Sequence, residues 1–126
     1  MKVLVVEHDA GVSLVVMSIL REWNMEARLA HTVQEALDAL KEQEPDLLIV
    51  AMQLPDLSGV EWVRRLHATE RYRRILVLML ADKADKEALF AATNAGINHM
   101  VAKPFEPDEL RRKLHVLYQE HRRQTV

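Results

Sequence analysis

A chain of 126 residues fits one domain, residues 1–126, and with 49% apolar residues it can fill a sizeable core. Its 17 Lys and Arg against 19 Asp and Glu give a net charge of −2, which excludes nucleic-acid binding driven by bulk charge. There is no cysteine, so disulfides, thiol catalysis and cysteine-based zinc sites are excluded, and a reducing, cytoplasmic setting is expected. No apolar run approaches the ~18 residues of a membrane span, and Met1–Val6 meets acidic residues too soon for a signal-peptide core.

In chain order, Val3–Val6 is a short apolar run without polar alternation, the pattern of a strand buried on both faces of a parallel sheet. Asp9 then caps a helix whose apolar stripe is Val12, Val15, Val16, Ile19 and Leu20. Glu26–Ala30 suits an edge strand. Thr32 with Glu35 forms a capping box ahead of Ala36, Leu37 and Leu40. Leu47–Val50 is a second buried strand run. The loop from Ala51 to Ser58 exceeds the usual ~2–6 residues of such connections, which points to function. Ser58 with Glu61 is a further capping box, followed by Trp62, Val63 and Leu66. Ile75–Leu80 is a third buried run. A helix is expected from about Ala84 through Ala88, Leu89 and Ala92, stopping near Gly96. His99–Ala102 suits the other edge strand. Pro107 belongs in the first turn of a last helix with core face Leu110, Leu114, Leu117 and Tyr118, and with Arg122 and Arg123 near its favourable C-terminal end.

Five strand–helix repeats imply a parallel sheet covered on both sides, a flavodoxin-like (βα)5 three-layer sandwich with strand order 2-1-3-4-5. Ligands of such sheets sit beyond the carboxyl ends of the strands, at the switch point between strands 1 and 3. That rule selects Glu7, His8 and Asp9 after strand 1, Ala51, Met52 and Gln53 after strand 3, Ala81 and Asp82 after strand 4, and Lys103 and Pro104 after strand 5.

Three segments, Val5-Val6-Glu7-His8-Asp9, Pro45 through Gly59, and Ala95-Gly96 through Lys103-Pro104-Phe105, resemble the receiver domain of two-component response regulators. The resemblance covers essentially the whole chain. It implies an acidic pair after strand 1 that binds Mg²⁺ and an Asp ending strand 3 that accepts a phosphoryl group. It also implies a Ser or Thr ending strand 4, a Lys after strand 5, and an aromatic switch residue in strand 5. Carried over, the acidic pair is Glu7 and His8, the phosphoacceptor position is Ala51, the hydroxyl position is Ala81 and the aromatic position is Met100. Lys103 alone among these keeps the family's residue, and the peptide before Pro104 is expected to be cis.

The departures have chemical consequences. Alanine offers no oxygen nucleophile, so no acyl phosphate forms at Ala51. Mg²⁺ wants hard oxygen ligands, which His8 and Ala51 do not supply. Fewer crowded carboxylates mean less repulsion, so the pocket is expected to be stable without metal, with Lys103 paired to Glu7 or Asp82. Four departures together read as a degenerate pseudo-receiver that acts by protein contact and not as an enzyme, with no cofactor and with Mg²⁺ binding weak or absent. The alternative is an ordinary phosphoaccepting regulator carrying an engineered Ala51, or one using Asp56 or Asp82, for which solvated-loop or helix-cap roles are the simpler reading.

Glu7 reads as a partner for Lys103 ahead of a metal ligand, and His8 as a polar residue at a strand end ahead of a soft-metal group. His8-Asp9-Ala10-Gly11 matches the core of a cobalamin-binding pattern, but its leading Asp is Val6 here, and no phosphate loop suits a flavin. Met17, Trp23, Trp62 and Phe90 read as core or interface. The basic groups Arg71, Arg73 and Arg74, and Arg111, Arg112 and Lys113, read as solvated faces, with a partner surface as the alternative. Expected partners are a histidine kinase, another receiver or an effector, with a homodimer face formed by helix 4, strand 5 and helix 5 through Ala91, Asn94, His99, Val101, Arg112, His115 and Gln119. The chain either acts alone or is the receiver portion of a longer protein.

Overall fold

The computed structural model describes residues 1–82, 86–97 and 99–124. Its elements are β1 (Lys2–Val6), α1 (Ala10–Glu22), β2 (Glu26–Ala30), α2 (Val33–Glu42), β3 (Leu47–Ala51), α3 (Gly59–Ala68), a 3₁₀ turn (Glu70–Tyr72), β4 (Leu76–Ala81), α4 (Lys86–Asn94), β5 (His99–Ala102) and α5 (Pro107–Gln124). The five strands form one sheet in the order β2-β1-β3-β4-β5, with every neighbouring pair parallel. This is the flavodoxin-like arrangement expected from the alternation, with the two weaker runs at its edges.

Strand side chains alternate between two cores, as a period of two requires. Leu4, Val6, Leu48, Val50, Val77 and Met79 face one side, where Leu40 of α2, Trp62 of α3 and Ala92 of α4 cover them. Val3, Val5, Leu47, Ile49, Leu78 and Leu80 face the other, under Val16, Ile19 and Leu20 of α1 and Leu110, Leu114 and Leu117 of α5. The central strands β3 and β4 are apolar at every position, and β1 is so after Lys2, because both faces are covered.

Several boundaries and faces differ from the sequence expectation. Ala51 and Ala81 close β3 and β4 instead of following them, because Ala51 pairs with Leu80 and Ala81 with Ala102. Ile75 lies outside β4, since its amide donates to Tyr72 O (3.3 Å) and finishes the preceding turn. The expected helix start near Ala84 lies outside the described residues. Val15 of α1 is 39% exposed and Tyr118 of α5 is 37% exposed. Each adjoins a truly buried residue (Val16, Leu117) and is rotated by one helical step toward the flank. On α4, Leu89 and Phe90 face outward, Phe90 at 70% exposure, and Ala92 alone among its residues is fully buried. Val101, expected on the docking face, is buried beneath α5 because it points to the opposite side of β5 from Met100.

The caps follow sequence logic with one change. Asp9 Oδ1 accepts the Val12 amide (3.0 Å), and Thr32 Oγ1 accepts that of Glu35 (3.1 Å), while Glu35 Oε2 accepts the His31 amide (2.6 Å). Ser58 accepts the Glu61 amide at 3.4 Å, but Glu61 does not reach back. Its carboxylate pairs with Arg64 and Arg65 on the next turn, and the Arg64 hydrogen bond holds its carboxyl below the ordinary value.

Candidate functional site

The carboxyl ends of β1, β3, β4 and β5 bring together Glu7, Ala51, Ala81, Asp82 and Lys103. Glu7 is held from three directions. Its amide donates to Ala30 O (3.0 Å), its carbonyl lies 3.1 Å from His31 Nδ1, and its Oε2 accepts the Asp9 amide at 3.2 Å. The side chain is only 1% exposed, and its other oxygen, Oε1, is in contact with the Lys103 ammonium. Lys103 Nζ is also 3.8 Å from Asp82 Oδ1, but Asp82 is half in solvent, so Glu7 is the dominant partner. Of the two partners expected for Lys103, Glu7 carries the contact.

Lys103 is fixed by its backbone. Its amide donates to Ala81 O (2.7 Å), and the Lys103–Pro104 peptide is cis. Ala51 and Ala81 are fully buried, so neither methyl lines an open surface. Met52 donates to Leu80 O (2.9 Å) and Gly59 to Met52 O (2.8 Å), and Gln53 bridges Ser58, folding the long loop back over the end of β3. Gly59 is essential to that fold-back: a Cβ there would lie 2.0 Å from the Ala51 carbonyl oxygen.

The other selected residues sit apart. His8 is exposed and lies beside Asp9. Asp9 is committed to the α1 cap, and the Val12 amide holds its carboxyl below the ordinary value, with smaller help from Gly11, Lys103 and His8. Met100 is half-buried against the core that α4 covers. Asp56 is a second cap for α2, reaching across from the β3–α3 loop: Oδ1 accepts the Val33 amide (3.0 Å) and Oδ2 that of Gln34 (3.1 Å). The Val33 bond is the main reason its carboxyl lies below the ordinary value.

Among the described residues no group of three His, Asp or Glu side chains could hold a metal ion. The donor set here fits Mg²⁺ poorly. The buried carboxylate already faces an ammonium and a backbone amide, and the strand ends on either side supply methyl groups.

Sequence reasoning missed two residues that shape the molecule. His31 backs the Glu7 carbonyl. His67 ties α3 to two distant carbonyls, Ala95 O at 3.2 Å and Ile75 O at 3.1 Å. The contacts of His31 with Glu7 and of His67 with Ala95 are long-range, and no local pattern announces them.

Comparison with known proteins follows the same lines. The sequence profile described as the response regulator receiver domain matches residues 3–115. The chain is 30% identical over 121 residues to chemotaxis protein CheY1 of Helicobacter pylori strain J99, covering 93% of this chain and 96% of that one. It is 29% identical over 109 residues to the phosphate regulon transcriptional regulatory protein PhoB of Escherichia coli K12, covering 86% of this chain and 48% of PhoB. Among solved structures, chemotaxis response regulator CheY4 of Vibrio cholerae superposes with a TM-score of 0.85 at 25% identity, covering 92% of this chain and 97% of that one. The receiver domain of sensor histidine kinase PA1611 of Pseudomonas aeruginosa, with a magnesium ion in its active-site cleft, superposes with a TM-score of 0.79 at 27% identity over 94% of both chains. This chain belongs to the response regulator receiver domain family, the signalling modules of two-component systems.

Proposed function

We propose that this receiver domain is a pseudo-receiver, which signals by protein contact without taking a phosphoryl group at the end of β3. The observation that carries the proposal is Ala51, a buried methyl at the position where the family resemblance places the phosphoacceptor. An acyl phosphate needs a carboxylate oxygen, and alanine has none. Asp56, the nearest acidic residue along the loop, spends both oxygens on α2 amides.

The surrounding groups support the same conclusion. The Lys103 ammonium neutralises Glu7, occupying the electrostatic role that a divalent cation would fill. Mg²⁺ binding is therefore weak or absent, and the domain has neither a cofactor nor enzymatic turnover. Ala81 has no hydroxyl to sense a phosphoryl group, and Met100 has no aromatic ring to change rotamer. State changes come from the partner or from self-association, which select among conformations by differential affinity.

The partner is a histidine kinase, another receiver or an effector. The α4–β5–α5 face is the docking and homodimer surface, with Ala91, Asn94, Arg112 and His115 exposed on it and His99 and Gln119 partly so. The cysteine-free composition fits a cytoplasmic setting, and no helix of the described residues is long and apolar enough to cross a membrane.

Thermal melts with and without millimolar Mg²⁺ test the proposal. The expected midpoint is the same in both, and a rise of several degrees specific to Mg²⁺ over Na⁺ at equal ionic strength would overturn it, because binding to the folded state alone must stabilise it.

A further inference from the structure

A cavity lies at the opposite end of the sheet from Glu7 and Lys103, where β4 begins. It measures about 390 Å³ and is walled by the turn before β4, the α4–β5 turn at Gly96, and the last turns of α5. Its polar lining is Arg73, Arg74, His67, His99, Glu120 and Gln124, above the backbone and side chains of Ile75 to Val77.

The walls are held in place. His67 bridges two of them through Ala95 O and Ile75 O. Gly96, at φ +84°, packs against that imidazole so closely that a Cβ would sit 2.8 Å from Nδ1. The third wall is tied by His99 Nε2 to Glu120 Oε1 at 2.7 Å. A cavity fixed before binding loses little entropy when a ligand enters.

Its charge is unbalanced. Among the described residues Glu120 is the one carboxylate in the lining, and His99 already engages it. Arg73 and Arg74 are exposed and make no side-chain ion pair or hydrogen bond with any described residue. Other arginines behave differently: Arg71 is paired with Glu44, and Arg111 with Glu22 and Asp108. Arg73 and Arg74 are neighbours in the chain, both line the cavity, and neither has a described partner to give up, which suits the forked recognition of an oxyanion.

We propose that this cavity binds a small phosphate monoester, its phosphate clamped by Arg73 and Arg74 and its organic part lying on the Ile75–Val77 floor. A bare phosphate would leave much of the volume unfilled, so the ligand carries an organic group. The site is remote from Ala51 and does not depend on whether the domain is phosphorylated. It adjoins His99 and α5, so an occupant can bias the docking face.

The test is an amide NMR titration of the whole chain with phenyl phosphate, using sodium chloride at matched ionic strength as the control. Saturable shifts are expected at Leu76, Val77 and Gly96 and not at Glu7 or Lys103. Arg73→Gln and Arg74→Gln should each weaken binding about tenfold, as expected for one lost charge-assisted contact. Arg71→Gln, outside the cavity, should leave binding unchanged. Shifts that never saturate and match the chloride control overturn the proposal, as does saturable binding that survives the Arg73→Gln/Arg74→Gln double substitution. The arginines are exposed, so these variants are expected to fold as the parent does.

Discussion

Replacing Lys103 by methionine keeps the length of the side chain and removes the charge that faces Glu7. The carboxylate that remains is 1% exposed, and its other oxygen has one amide. Breaking a buried pair in this way costs roughly 3–5 kcal/mol. The loss at pH 7 is therefore about 3–5 kcal/mol. With an unfolding entropy of about 2.1 cal/mol/K per residue, this lowers the melting midpoint by about 11–19 °C.

Thermal melts of parent and variant at pH 7 measure the deficit. The double substitution Glu7→Gln/Lys103→Met removes both charges and should recover most of the loss. A deficit at pH 7 below about 1 kcal/mol would refute the burial argument.

Two further outcomes follow from the loop over β3. The Asp56 carboxyl sits below its ordinary value because it accepts the Val33 amide. Its contribution is present above the ordinary value of about 3.9 and is lost as pH falls through the lower folded-state value. Asp56→Asn, which still offers an oxygen to α2, should be less sensitive to acid than the parent in melts between pH 6 and pH 3, and an unchanged acid profile would exclude the cap as its source. Gly59→Ala places a methyl against a backbone oxygen that cannot swing away, so about 3 kcal/mol or more of destabilisation is expected in urea unfolding. A loss under about 0.5 kcal/mol would mean the loop re-forms without the close approach.

The parts legible in the sequence were those fixed by local pattern. The runs of β1 and β3 are apolar throughout because helices cover both faces, and the caps at Asp9, Thr32 and Ser58 lie within a turn of the amides they bind. The Glu7–Lys103 contact followed from topology only in part: the parallel sheet puts the ends of β1 and β5 on one edge with β3 and β4 between them, and the two side chains reach across. Helix faces were less legible. Apolar periodicity gives the direction of a stripe, while the neighbouring helices set how wide a strip is covered. Val15, Leu89 and Tyr118 therefore fell outside the buried strip. Contacts such as Asp56 to α2, or His67 to Ala95, join residues far apart in sequence and obey no spacing rule.

The central claim, that the end of β3 carries no phosphoryl chemistry, is tested most directly by incubating the chain with Mg²⁺ and acetyl phosphate and measuring its intact mass under denaturing conditions. The expected result is the unmodified mass throughout. A stoichiometric adduct of one phosphoryl group would contradict the account.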